Sequence, residues 1–279
     1  MTTPFIGTEA VGAGDVTPYA LRSRHSAIYP GVYLPRGTPI SAAMRAEAGW
    51  LWSRRRGIVA GRSAAALHGA KWVKDMLPAE LIHDNRHPPR GIRIWADTID
   101  EDEIVVVGGV RITSVARTLL DIGCRRPLRG AVPEMDALVR ATRADLVAAH
   151  LLADRYRGRR GIRRARTALG LVDGGAESPR ETWLRLLLIT AGLPRPRTQI
   201  RVRDEYGQIV ARLDMGWPEL KIGVEYDGDQ HWTDRRQLSR DIRRTEDLRE
   251  LGWIIVRVTA DATEASILGW VEAAFMRRM

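Results

Sequence analysis

The sequence predicts a mixed α/β (α+β) protein in two parts, and three observations carry that reading. Its 279 residues have room for about two domains. The first half alternates capped helical segments with short strand-like runs rich in Val, Ile and Leu. The last third holds two strand-like segments that are apolar on one face and acidic on the other.

From the N-terminus, residues 8–25 read as short helical pieces. They break at residues 12–14 and reopen at Thr17-Pro18, where Thr caps a helix and Pro suits its first turn. Residues 26–37 read as a small β-hairpin. Helix, turn, helix and hairpin over residues 1–40 suggest a winged helix-turn-helix. Arg22, Arg24 and His25 then end its second helix, where such modules touch phosphates or base edges. A reduced winged helix that only packs on its neighbour fits the same pattern.

Residues 41–150 read as an α/β domain. A helix covers 41–52, and a capped helical turn runs from Ser63 to a closing Gly69. Strand-like runs follow near 80–83, 92–95, 104–107 and 110–112. Ser114 opens a helix with Arg117 on its solvent side, and further helices cover 129–142 and 143–156. His68, on an Ala-rich turn, reads as structural. The arginine-rich stretch 155–166 falls in a basic connector, 151–176, ahead of a last domain at 177–279.

That last domain carries the chemistry. In Ile222-Gly-Val-Glu-Tyr-Asp-Gly-Asp-Gln-His231, strand alternation puts Leu220, Ile222, Val224 and Tyr226 on one face and Gly223, Glu225 and Asp227 on the other. Burying an unpaired carboxylate costs on the order of several kcal/mol, so a pair of them implies a cation, a proton or a wet cleft. In Ile209-Val-Ala-Arg-Leu-Asp-Met-Gly-Trp217 the same alternation turns Ile209, Ala211, Leu213 and Met215 inward and leaves Asp214 on the opposite face. Pro218 cannot continue a ladder, so the two segments pair as an antiparallel hairpin that folds Asp214 back toward Glu225. Such carboxylates are hard ligands suited to Mg²⁺ or Mn²⁺, and Gly216, Gly223 and Gly228 leave room beside them.

The hairpin, the string VEYDGDQH, a charged helix from Asp234 to Leu251 and an apolar strand from Trp253 to Thr259 follow one another in order. With them, residues 177–262 resemble the PD-(D/E)XK nuclease superfamily, and within it the domains related to the very-short-patch-repair DNA endonuclease. The resemblance implies a restriction-endonuclease-like αβββαβ core, a bound Mg²⁺ or Mn²⁺, hydrolysis of DNA phosphodiesters and, in many such nucleases, a homodimer. It implies Asp214, Glu225 and Asp227 as metal ligands, with His231 completing the catalytic site. The acid contributed by the first helix matches either Glu177 or Glu181. The superfamily's usual Lys, two residues after the Glu, is Asp227 here, so the cation that polarises the attacking water is missing from its usual place. An imidazole at His231 suits a general base. Arg236, Arg240 and Arg243 or Arg244 lie three or four residues apart on the following helix, where they reach a DNA backbone, while Glu246, Asp247 and Glu250 offer internal pairing instead.

The strings GVYLPRG, SAAALHG and ITSVARTLLDIG, in that order over residues 8–125, resemble the AbiEi-type antitoxin proteins of bacterial abortive-infection systems. That resemblance implies DNA binding by the winged helix, regulation of the protein's own operon and a cognate toxin as partner.

Composition sets outer bounds. The net charge of +10 is carried by arginine, since Lys71, Lys74 and Lys221 are the lysines. Guanidinium forks bind phosphate bidentately, so a polyanionic partner such as DNA fits, although genomic base composition also favours Arg over Lys. A single cysteine, Cys124, excludes intramolecular disulfides and Cys-rich zinc sites, as expected in a reducing cytoplasm. No apolar run approaches the roughly 20 residues of a membrane span, and Met1-Thr-Thr-Pro-Phe5 lacks a signal-peptide pattern. The expected function is a metal-dependent DNA endonuclease with an N-terminal DNA-binding, antitoxin-like region. Two alternatives stay open: a DNA-binding regulator or antitoxin whose nuclease fold has lost turnover, and an acid cluster that is structural and neutralised by Arg212 and Arg257.

Overall fold

The computed structural model describes residues 3–85, 87–228 and 235–279, with the side chains of all of these except 235–242. The chain divides into two compact units, Met1–Gly174 and Gly175–Met279. Among the described residues the strands form three sheets, which makes this a mixed α/β protein, and no helix is long and apolar enough to cross a membrane.

The first unit opens with β1 (Phe5–Ile6), α1 (Gly7–Gly12), α2 (Pro18–Arg24), β2 (His25–Tyr29) and β3 (Val32–Pro35). The three strands pair antiparallel in the order β1-β3-β2. Thr17 Oγ1 accepts the N–H of Ala20 and Pro18 occupies the first turn of α2, as the Thr-Pro pair predicts. Gly31 turns the hairpin at φ +79°, a conformation that favours glycine.

Next come α3 (Ala42–Trp52), β4 (Ile58–Val59), α4 (Gly61–Leu67), β5 (Ala79–Ile82), β6 (Ile92–Trp95), β7 (Ile104–Val107) and β8 (Val110–Thr113). β4 to β8 form a mixed sheet in the order β6-β5-β4-β8-β7. β4 has only two residues, too short to show a period in the sequence. The hairpin at residues 25–35 is no separate domain. Ile6, Tyr29 and Val32 share one buried cluster with Ala48, Leu51, Leu81 and Ile92, and Tyr29 Oη donates to Gly91 O at 2.9 Å. The expected boundary at residue 40 is therefore replaced by a continuous core. Ser63 does not cap α4, which starts at Gly61 after Ala60; its Oγ accepts the N–H of Glu80 instead.

The unit ends in a helical layer of α5 (Val115–Arg125), α6 (Leu128–Thr142), α7 (Val147–Arg155) and α8 (Ile162–Leu171). Ser114 caps α5 by accepting the N–H of Arg117. Arg117 itself, expected on the solvent side, is fully buried. The expected basic connector is also corrected: residues 151–171 finish α7 and form α8, which buries Ile162, Ala165, Ala168 and Leu169. α8 lies so close to α5 that a Cβ on Gly123 would come within 2.9 Å of Ala165 Cα.

The second unit runs α9 (Pro179–Thr190), β9 (Arg197–Arg203), β10 (Ile209–Trp217), β11 (Ile222–Asp227), α10 (Arg235–Glu250), β12 (Ile254–Thr259) and α11 (Glu264–Met276), so the αβββαβ order is present with one further helix. β9, β10 and β11 form an antiparallel meander, and α10 carries the chain across so that β12 pairs parallel to β11. Leu184, Leu188, Ile267 and Val271 of α9 and α11 cover Met215, Ile222 and Val224, whereas Leu248 of α10 packs with Ile200, Ala211 and Leu213. The sheet is thus helix-covered on both faces.

Candidate functional site

The acids gather where the β10–β11 ladder opens. Its last rung is Met215 opposite Val224. One residue further, Asp214 Oδ2 accepts the N–H of Tyr226 at 2.8 Å, so a side chain takes over from the strand carbonyls. Opposite Asp214 on β9, Gln199 sits at φ +52°, in the left-handed region. The strand turns over at this point. Leu213 joins the α10 cluster and Met215 the α9–α11 cluster, although strict alternation puts them on one face. Ile209, also expected inward, is exposed. Two of the three glycines leave no room: a Cβ on Gly216 would meet Ile222 O at 2.1 Å, and one on Gly223 would meet Leu213 Cδ1 at 2.7 Å.

Glu225, on β11, meets Arg244 of α10. Arg244 Nη1 donates to Oε2 at 3.2 Å, and Nη2 donates to Oε1 and, at 3.3 Å, to Arg212 O. Glu181, in the first turn of α9, is buried. Its Oε2 accepts the N–H of Glu177 at 2.8 Å while its own N–H goes to Ser178 Oγ, a variant of the capping box. Of the two candidate acids, Glu181 is the one close enough to raise the Asp214 carboxyl electrostatically. Glu177 pairs with Arg212 at 3.0 Å. Asp227 ends β11 opposite Thr259, half-buried. His231 and the side chains of Arg236 and Arg240 lie outside the described residues. Arg243 is exposed on α10, and Arg22 and Arg24 are exposed at the end of α2.

Burial pushes the Asp214 carboxyl up from 3.8 to about 6. The Tyr226 N–H opposes this, the neighbouring Glu181 and Glu225 reinforce it, and Arg244 lowers it again. A folded carboxyl that binds its proton more tightly than the unfolded one makes stability fall as pH rises from about 4 to 6. Asp214→Asn keeps the neutral shape, so it is expected to raise stability by roughly 2 to 3 kcal/mol at about pH 8 and to change it little below about pH 4. Urea unfolding at both pH values checks this; an Asn variant no more stable than the native chain at the higher pH would refute it.

The arginines invoked for a purely structural cluster go elsewhere. Arg212 pairs with Glu177 and Arg257 donates to Thr245 Oγ1, so it is Arg244 that balances Glu225. The donor set suits a divalent cation: hard carboxylate oxygens, with Asp214 raised to about 6 by burial and, less strongly, by its acidic neighbours. Closure is incomplete, however. Among the described residues, Asp100, Asp102 and Glu103 of the first unit are the group whose ligand oxygens all lie within 4.8 Å, and Arg155 already answers them at 2.7 to 3.5 Å. Sequence reasoning placed Arg244 among the helix arginines without assigning it to the acids, because helical spacing alone does not set which arginine faces the sheet.

His68, expected to be structural, is part-buried. Its Nε2 donates to Thr113 O at 2.8 Å, and burial lowers its pKa.

No protein-family model matches the chain, and no solved structure matches it. Over 157 residues it is 34% identical to the uncharacterized proteins MT2308 and Rv2248 of Mycobacterium tuberculosis. The match takes in 56% of this chain and spans only 57% of each relative's length.

Proposed function

We propose that the second unit hydrolyses DNA phosphodiester bonds with a divalent metal ion, and that the first unit binds DNA through the hairpin and the exposed Arg22 and Arg24. The observation that carries this reading is the convergence of Glu181, Asp214 and Glu225 at an opening in the sheet, with Asp214 pushed up to about 6 by burial and by those neighbours. Asp214 and Glu225 would hold the ion, with Asp227 at the strand end as a further donor. Bound there, the ion would supply an acidified water and charge neutralisation at the scissile phosphate. Arg244 supports the reading from the other side. It brings a guanidinium to the acids from α10, where Asp227 has displaced the expected Lys, and its planar fork suits a phosphate oxygen. Arg243 beside it faces solvent and suits the DNA backbone.

A second reading is favoured by the same ion pair. With Glu225 already neutralised by Arg244, the fold also serves as a non-catalytic DNA-binding regulator or antitoxin, facing a cognate toxin in the cytoplasm. Nicking of supercoiled plasmid with Mg²⁺ or Mn²⁺, against chelator, separates the two. Metal-dependent nicking that disappears in Asp214→Ala supports the nuclease. DNA binding that persists in chelator, with no cleavage by either protein, supports the regulator.

A further inference from the structure

The arginine-rich stretch 155–166 is explained by neither reading, and in the fold it forms one wall of a cavity. The cavity has a volume of about 720 Å³ and lies in the first unit between β6 and the α5–α8 pair. Arg93 stands on β6, Arg125 and Arg126 at the end of α5, and Arg159, Arg160 and Arg164 at the start of α8. Two carboxylates share the lining, Glu80 and Asp97, so six guanidinium groups face two acids for a lining charge of +4.

Both acids are already engaged. Asp97 Oδ2 accepts from Arg125 at 2.5 Å and from Arg159 at 2.7 Å. Glu80 is held at 2.9 Å by the buried Arg62, which stands behind the lining, while Arg93 lies 3.7 Å away. Of the other three arginines, Arg126 is answered by Glu134 from behind the lining, while Arg160 and Arg164 have no acid partner among the described residues. Arg164 spends its donors on the carbonyls of Gly123 and Cys124, which are neutral. Arg126 lies 3.5 Å from Glu134, and its Nε is buried with no hydrogen-bond partner. Arg160 is exposed and forms no ion pair or hydrogen bond among the described residues. Unanswered charge in a concave, partly dry site focuses a positive potential and leaves buried donors unsatisfied, which an anion would relieve.

The chemistry of the lining narrows the ligand. Its indole, Trp95, is buried and stacked under Arg125, whose guanidinium carbon lies 3.9 Å from the ring centroid. The ring therefore orients a cation and offers no free platform for a base. Forks from both α5 and α8 suit several phosphate groups at once. We infer that this cavity binds a small oligophosphate anion, through its phosphates, at a site independent of the acids of the second unit.

Calorimetric titration of the full chain at low salt tests this, using inorganic triphosphate and a nucleoside triphosphate as separate probes. Saturable binding is expected for both. It should weaken about tenfold or more in Arg126→Gln and again in Arg160→Glu; the second change is at an exposed, unpaired position where folding is not at stake. Equal affinity for the two probes would identify free oligophosphate chemistry as sufficient, and tighter nucleotide binding would add the nucleoside to it; either supports the site. No saturable binding of triphosphate, binding indifferent to both variants, or a loss confined to duplex DNA binding would overturn it.

Discussion

Arg117→Met is expected to cost the first unit about 3 to 5 kcal/mol, a large fraction of the stability of an ordinary domain. The guanidinium is fully buried. Its Nε donates to Asp121 at 3.1 Å, and its Nη1 to Glu103 and, at 3.1 Å, to Tyr156 Oη. Asp121 and Glu103 hold it charged against the cost of burial. Tyr156 in turn donates to Glu103 at 2.7 Å and is pushed up to about 12 by burial and that carboxylate, so its proton stays in place. Methionine would fill the volume but remove the buried central cation that Asp121 and Glu103 share, leaving Asp121 to Arg159 at 2.6 Å and Glu103 to Arg155 at 3.3 Å, and under-compensated buried charge is the costly product of breaking such a network. Arg117→Lys should fall between, because an ammonium keeps the charge but cannot serve Asp121 and Glu103 with one planar fork. Urea unfolding followed by tryptophan fluorescence reads the loss. A Met variant within about 1 kcal/mol of the native protein would show that the network is dispensable.

The second large effect concerns the Glu225–Arg244 pair. If Glu225 holds the metal, Glu225→Gln should lower metal-dependent cleavage about 100-fold or more. Arg244→Met should divide its effects. Removing the competing cation lets Mg²⁺ saturate at lower concentration, while losing a phosphate contact lowers the maximal rate roughly 10-fold or more. Rates measured across a Mg²⁺ titration for the native chain, Arg244→Met and Arg244→Lys give both quantities. A Met variant with unchanged maximal rate would remove Arg244 from the chemistry and leave it as a stabilising partner of Glu225.

Much of the second unit was legible because its signals are local. Pro218 ends one strand, the alternating runs fix the hairpin, and the helix and strand after it follow from periodicity and length. What was not legible depended on partners distant in sequence. The face change at Asp214 rests on Gln199 of the neighbouring strand, and a period-two pattern within β10 carries no trace of it. Glu177 and Glu181 are one helical turn apart, and only the capping geometry at Ser178 separates them. Arg117 with Asp121 four residues on looks like an exposed helical pair; burial is imposed by Glu103 and Tyr156, which are remote in the chain. The connector expected at 151–176 follows from composition, whereas the spacing of its apolar residues favours a packed helix. Ile162, Ala165, Ala168 and Leu169 recur every three or four residues between the arginines, a buried stripe that marks a packed helix.

The core shared by Tyr29, Val32, Leu81 and Ile92 sets how the N-terminal hairpin can search for a ligand. A recognition module on a flexible tether samples orientations cheaply and gains from proximity to a second site. Among the described residues no tether separates them: the hairpin is one wall of a larger body, so Arg22 and Arg24 of the adjoining α2 are held at fixed angles, and removing residues 1–40 would expose Leu81 and Ile92. A ligand bound as proposed would be oriented by the whole first unit at once, which trades reach for registration.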